Sequence, residues 1–308
     1  MNHLPFKPFS ATLHGRRMTF HRPVIMGILN ATTDSFYDGG RYTTPQAVLN
    51  HALQLLADGA DIIDLGVVSS RPGAQLLNPQ DEADRLAPLV RLLRQQLPET
   101  TLISVDTCFS RPATMAVQAG ADIINDISGG QFDAEMFATI ASLKVPYILM
   151  HTRGIPAVMQ QSQNTHYNDL ATDIANYFGK KLGQFHRLGV SDIWLDPGFG
   201  FAKTTDQNYE LLFRLGELTA LFPDNPMLTA LSNKSMITNR LKQISGNPNA
   251  SALPLPDSEF GTLTLNTIAL QAGTRLLRVH NPRIARIAID ILFGAKPAAN
   301  TTQICTPA

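Results

Sequence analysis

The polar residues able to do chemistry fall where apolar runs end. Asn30, Asp64, Asp106, Asn125 with Asp126, His151, Asp196, Ser232, and Arg278 with His280 each close or follow a short apolar stretch, and Lys234 stands just past Ser232. Asp106, Asn125, Asp196 and Lys234 supply acceptors and donors suited to a flat heterocycle bearing several N–H and carbonyl groups, because a buried polar ring needs every edge paired. Arg71, Arg278 and His280 suit a phosphate or diphosphate, and Asn30 offers an oxygen to a hard cation. Other chemistries find less support. There is no H-x-H or H-E-x-x-H for a metal hydrolase and no G-x-S-x-G for an activated serine, and Cys108 has no base beside it in sequence. The pattern points to catalysis by positioning and leaving-group stabilisation.

Such residues act together only if the elements carrying them converge. Near-continuous apolar cores at 24–30, 61–66, 102–106, 122–126, 146–151, 192–196, 227–232 and 275–280 read as parallel strands covered on both faces. Helical patterns fill the gaps. Thr44-Pro45 and Asn78-Pro79 each offer an N-cap followed by a proline at the first helical position, and Gly59 is placed to end the first helix. Asp133 and Asp169 read as starts for helices over 136–143 and 174–188, and Asp206 for the run through Leu211, Leu212, Leu215 and Leu218. Further helices are expected over 234–244, 261–272 and 283–293. The alternation predicts an α/β fold, a single (β/α)8 TIM barrel over 24–294, whose C-terminal strand ends share one face. No G-x-G-x-x-G follows the first strand, which argues against an open dinucleotide-binding sheet. Residues 1–23 read as an extension with a β-hairpin turning at His14-Gly15, 246–259 as a loop and 295–308 as a frayed C-terminal tail. Loops 30–41 and 66–74, carrying Asp34, Asp38, Arg41 and Arg71, occupy the position of a lid.

Composition sets the outer bounds. Lys and Arg number 25 against 25 Asp and Glu, so neither nucleic acid nor an anionic membrane is an expected partner. A hydrophobic content of 44% with 16% charged residues supplies one large core and excludes disorder. No apolar run reaches the roughly 18 residues needed to cross a bilayer. The first twenty residues lack the apolar stretch of a signal peptide, and the two cysteines make no disulfide framework, so a cytoplasmic enzyme is expected.

A string of segments, in order, resembles the dihydropteroate synthase family over nearly the whole barrel. They are MGILNATTDSFYDGG at 26–40, GADIIDLG at 59–66, SSRPGA at 69–74, ISVDT at 103–107, IINDISGG at 123–130, LMHTRGIPAVMQ at 149–160, DPGFGFAKT at 196–204, LSNKSMI at 231–237 and LLRVHN at 276–281. The resemblance implies condensation of 6-hydroxymethyl-7,8-dihydropterin diphosphate with 4-aminobenzoate in folate synthesis. It implies that Asp106, Asn125, Asp196 and Lys234 hold the pterin, with Met150 and Phe201 packed near it. Asn30, Arg71, Arg278 and His280 would hold the diphosphate, with Mg2+ on Asn30, and Asp34 would flank the cationic carbon left when diphosphate departs. Ser70, Phe199 and Ser232 would line the aminobenzoate slot, where sulfonamides compete. It also implies a homodimer formed through barrel helices.

Several positions depart from the family's pattern. Thr33 replaces the proline before Asp34, Val67-Val68 replaces Gly-Glu, Ala230 a glycine, Asn233 an arginine and Asn281 an aspartate. These leave room for a divergent or weakly active paralogue, or a non-catalytic pterin binder. A pterin-dependent methyltransferase-type barrel is a further alternative, against which the anion set Arg71, Arg278 and His280 counts. Arg278→Ala and His280→Ala are expected chiefly to damage diphosphate binding and turnover; steady-state kinetics unchanged in both variants would refute that role.

Overall fold

The computed structural model describes residues 5–31, 44–68, 77–155, 157–245, 255–294 and 301–304. All eight expected barrel strands are present and parallel. They are β3 (Val24–Asn30), β4 (Ile62–Gly66), β5 (Leu102–Asp106), β6 (Ile123–Asp126), β7 (Tyr147–Met150), β8 (Ile193–Asp196), β9 (Leu228–Thr229) and β10 (Leu276–Val279). The sheet runs β8-β7-β6-β5-β4-β3-β10-β9. A parallel bridge from Leu195 to Met227, with Leu195 N–H donating to Pro226 O at 2.9 Å, brings the two ends together as a (β/α)8 barrel. Ahead of it, β1 (Phe9–Leu13) and β2 (Arg16–Phe20) form the expected hairpin. His14 and Gly15 both have positive φ, as a two-residue hairpin turn requires.

The helices are α1 (Pro45–Ala57), α2 (Pro79–Gln96), α3 (Ser110–Gln118), α4 (Met136–Leu143), α5 (Leu170–Arg187), α6 (Thr205–Phe213), α7 (Leu215–Leu221), α8 (Ser235–Ser245), α9 (Leu255–Gln271) and α10 (Pro282–Phe293). Thr44, Asn78 and Asp169 cap α1, α2 and α5 as expected. Two other starts differ. Asp133 accepts the Glu135 N–H on Oδ1 and the Met136 N–H on its carbonyl ahead of α4, which begins after Glu135, and its Oδ2 accepts from the Ser110 N–H and hydroxyl, so it also anchors the beginning of α3. Thr204, in a reciprocal capping box with Gln207, starts α6, leaving Asp206 inside the first turn. α3 itself was not expected: Pro112 interrupts its short pattern, yet a proline in the first turn breaks no intrahelical bond. Residues 255–259, expected as loop, are the first turns of α9. The tail expected to fray holds β11 (Thr301–Ile304), antiparallel to β2, whose open edge offers unpaired backbone groups.

The pleat sorts the barrel into layers. Ile62, Leu102, Ile123, Ile148, Trp194, Leu228 and Leu276 cluster inside the barrel with Phe9, Ala11, Leu13 and Phe20 of the hairpin. The Phe9 and Phe20 rings stack at 4.7 Å and meet Trp194 edge-on at 5.9 and 6.3 Å, so the hairpin plugs the N-terminal end. The intervening residues Ile63, Ile103, Ile124, Tyr147, Ile193 and Leu277 belong instead to the main core shared with the helices. Two positions beyond the floor residues, on the same inward face and about 7 Å nearer the C-terminal ends, stand Asp64, Ser104, Asn125, Met150, Asp196, Ala230 and Arg278.

Aspartates at the strand starts hold the plug. Asp192 Oδ2 accepts the Thr12 N–H at 3.1 Å, and Asp122 accepts the Ile103 N–H at 2.7 Å while pairing with Arg94. His14 Nε2 lies 2.9 Å from Asp122 Oδ1; that hydrogen bond raises the histidine's pKa, against the lowering effect of partial burial. A raised folded pKa stabilises the protonated form, so the contribution is complete below about pH 6.5 and is lost as pH rises through the raised value. Amide-exchange protection of the hairpin is expected to fall modestly between about pH 6 and about pH 8, and His14→Gln to abolish that dependence. Protection independent of pH in the unaltered chain would contradict this.

Candidate active site

The polar layer is organised by Arg278. Its Nε donates to Asp64 Oδ2 at 2.7 Å and its Nη2 to Asp106 Oδ2 at 2.8 Å, while Asn125 Nδ2 donates to the same Asp64 oxygen at 3.1 Å. Four strand ends, β10, β4, β5 and β6, are thereby tied across the barrel. Burial pushes Asp106 up to about 7, against the pull of Arg278, and raises Asp196 against the Gly198 N–H and the charge of Lys234. Burial also brings Lys234 down to about 8, with Asp196 as its principal counter-charge, and its Nζ sits 4.7 Å from the Phe201 ring centroid. Asp106, Asn125, Asp196, Lys234 and Arg278 therefore share one mouth. Beside them Met150 and Phe201 form a small apolar cluster with Cys108, Ile127, Met159 and Ala202, a surface against which a flat ring can lie.

The segment after β8 is held by a residue that sequence reasoning gave no role. Lys203, 2% exposed, donates from Nζ to Gly198 O at 3.0 Å and Phe201 O at 3.1 Å, and lies 3.1 Å from His151 Nδ1. Burial and the Lys203 charge hold His151 well below the usual histidine range, so it is neutral beside the Lys203 amine. Burial lowers Lys203 to about 7, opposed by Asp196. Gly198 has φ +74°, and a Cβ there would lie 2.0 Å from His151 O. That glycine also donates its N–H to Asp196 Oδ1 at 2.8 Å, so the clip that holds the loop also orients the carboxylate. The signal in sequence was a lysine in an otherwise apolar, glycine-rich run. Asp64, seen as a strand end but assigned no task, was legible from its place two residues after Ile62.

The remaining expected residues fall into three groups. Ser232 Oγ accepts the His280 backbone N–H at 3.2 Å and lies 3.1 Å from His280 Nδ1, joining the loops after the last two strands. Asn30 ends β3 beside Gly66, where a Cβ would stand 3.7 Å from Asn30 Oδ1 and 3.6 Å from Asp106 Cβ. Phe199 is 1% exposed and packed in the main core, whereas Phe201 belongs to the small cluster beside the mouth, with left-handed Gly200 between them. Asp34, Ser70 and Arg71 lie outside the described residues. Burial, with Asp126 and Asp106 nearby, raises the buried Cys108 thiol, which makes it unreactive.

A barrel with an inward ring of carboxylates, amide and cations above an apolar floor defines a class. The pattern of the family described as "Pterin binding enzyme" matches residues 26–280. A dihydropteroate synthase of Streptococcus pyogenes serotype M3 is 38% identical over 270 residues, covering 87% of this chain and 94% of that one. Among solved structures, Yersinia pestis dihydropteroate synthase in a sulfonamide complex superposes with a TM-score of 0.81 at 35% identity, covering 92% of this chain and 97% of that one. The Xanthomonas albilineans enzyme with 4-aminobenzoic acid gives 0.78 at 32% identity, again over 92% and 97%. The chain belongs to the pterin-binding enzymes and, among them, to the dihydropteroate synthase family.

Replacing Lys203 with Met leaves two buried carbonyls without their donor and the His151 Nδ1 without its partner. Loss on the order of 3 kcal/mol in chemical denaturation is expected, together with pterin affinity reduced at least about tenfold. An unchanged midpoint with unchanged affinity would show that the loop is held by other contacts.

Proposed function

We propose that the chain joins 6-hydroxymethyl-7,8-dihydropterin diphosphate to 4-aminobenzoate and releases diphosphate. The observation that carries this reading is the ring of Asp106, Asn125, Asp196 and Lys234 beside the Arg278 bridge at one mouth. Asp106 and Asp196 accept from ring N–H groups, Asn125 both donates and accepts, and Lys234 donates to ring acceptors. Met150 and Phe201 take the ring's face. Asp106 is raised by burial against the pull of Arg278, which donates to its Oδ2 at 2.8 Å.

In the reaction the methylene C–O bond breaks, the arylamine nitrogen forms the new C–N bond, and the amine gives up a proton. Arg278 and His280, with Arg71, meet the charge growing on the leaving diphosphate; Asp34 flanks the cationic carbon; Ser232 and Ser70 stand on the aminobenzoate side. The donors present fit Mg2+ carried in by the substrate. Among the described residues no group of three or more His, Cys, Asp or Glu is disposed to hold a metal, while Asn30 offers one oxygen beside the space left by Gly66. A hard cation that keeps waters and binds mainly through phosphates needs little more from the protein, and bound there it would neutralise the departing charge. Sulfonamides are proposed to compete at the aminobenzoate position, a reading supported by the sulfonamide in the Yersinia pestis relative.

No helix among the described residues is long and apolar enough to cross a membrane. A cytoplasmic setting and a homodimer complete the proposal. The dimer is supported by Phe213, Ile244 and Phe260, exposed on the neighbouring helices α6, α8 and α9. The decisive experiment combines calorimetry of pterin diphosphate and Mg2+ with an assay of diphosphate release. Release that requires aminobenzoate is expected; binding without release would favour the non-catalytic pterin binder, and the absence of binding would exclude every pterin reading.

A further inference from the structure

The loops after β9 and β10 carry Ser232, Lys234 and His280, and both rest on the first turns of α9. Asn233 has φ 54°, a left-handed conformation that asparagine tolerates better than most residues. Its backbone N–H donates to Thr262 Oγ1 at 3.2 Å, and its Oδ1 accepts from Ser258 Oγ at 2.9 Å. Thr262 in turn donates to Ser258 O at 2.8 Å, so the two buried hydroxyl residues form one unit. On the second loop Asn281 Nδ2 donates to Glu259 Oε1 at 2.9 Å. Asn233, Glu259, Thr262 and Asn281 line, with Ser232 and His280, a cavity of about 250 Å3. α9 reaches these loops because it lies close against α8: a Cβ on Gly261 would meet Ile237 Cγ2 at 2.4 Å.

β9 is only two residues long, so the chain from Ala230 to Lys234 has no strand ladder to fix it. Side chains on α9 supply the missing hydrogen bonds. We propose that Ser258, Glu259 and Thr262 are positioning residues for the leaving-group half of the site, bracketing both loops so that His280 keeps its spacing to Ser232, the side chain that bonds it. None of the three needs to touch substrate; they preorganise the groups that do. This rests on the reading of the mouth as a pterin diphosphate site.

The test uses the full chain and two ligands, 6-hydroxymethyl-7,8-dihydropterin diphosphate with Mg2+ and the same pterin as its alcohol, lacking diphosphate. The double variant Ser258→Ala, Thr262→Val is expected to weaken the diphosphate ligand about tenfold and raise its KM, while leaving the alcohol within about twofold. Thr262→Ser, which keeps the hydroxyl, should bind as the unaltered chain does. Glu259→Ala, at a half-buried position, should show a smaller change in the same direction, and it carries the test alone if the double variant does not fold. Equal weakening of both ligands, or of neither, would overturn the proposal. Failure of the unaltered chain to bind either ligand would overturn the reading beneath it as well, so the two failures are told apart.

Discussion

A guanidinium held between two carboxylates inside the barrel is the constraint on which the site depends. Asp64 is fully buried, and a buried carboxylate is tolerated only when a cation and hydrogen-bond donors compensate it. Arg278 and Asn125, each two strands away from β4, both donate to Asp64 Oδ2, leaving Oδ1 buried without a partner among the described residues, and the same arginine donates to Asp106. The interaction therefore does two jobs. It pays for the desolvated charge, and it draws the ends of β10, β4, β5 and β6 into one frame before any ligand arrives. Removal of Arg278 would therefore strip compensation from Asp64.

The strand pleat explains why so much of this was legible. Once the apolar cores were placed, the period of two put Asp106, Asn125, Asp196 and Arg278 on one face, and the barrel brought them to one end. Caps with a local signature, Thr44-Pro45, Asn78-Pro79 and Asp169, were equally readable. What escaped depends on tertiary contacts. Asp133 serves α3 as well as the approach to α4 because Ser110 comes to it from elsewhere in the chain, and Thr204 outcompetes Asp206 because Gln207 completes its box. Phe199 and Phe201 part company because left-handed Gly200 breaks the period of two between them. Lys203 reveals its role only when the carbonyls of Gly198 and Phe201 and the ring of His151 close around it.

The departures from the family's pattern find definite places. Val67 is buried in the main core and Val68 packs against it, a setting in which a carboxylate would need compensation. Ala230 adds its methyl to the apolar floor with Leu228 and Met26. Asn233 and Asn281 both turn to α9. None of these altered residues supplies a polar group to the Asp64, Asp106, Asn125 and Arg278 network, and Thr33 lies outside the described residues.

The hairpin gives the barrel the topology of a blind cup. Phe9, Phe20 and Trp194 stopper its far end, so the polar ring faces away from the stopper, toward the C-terminal strand ends.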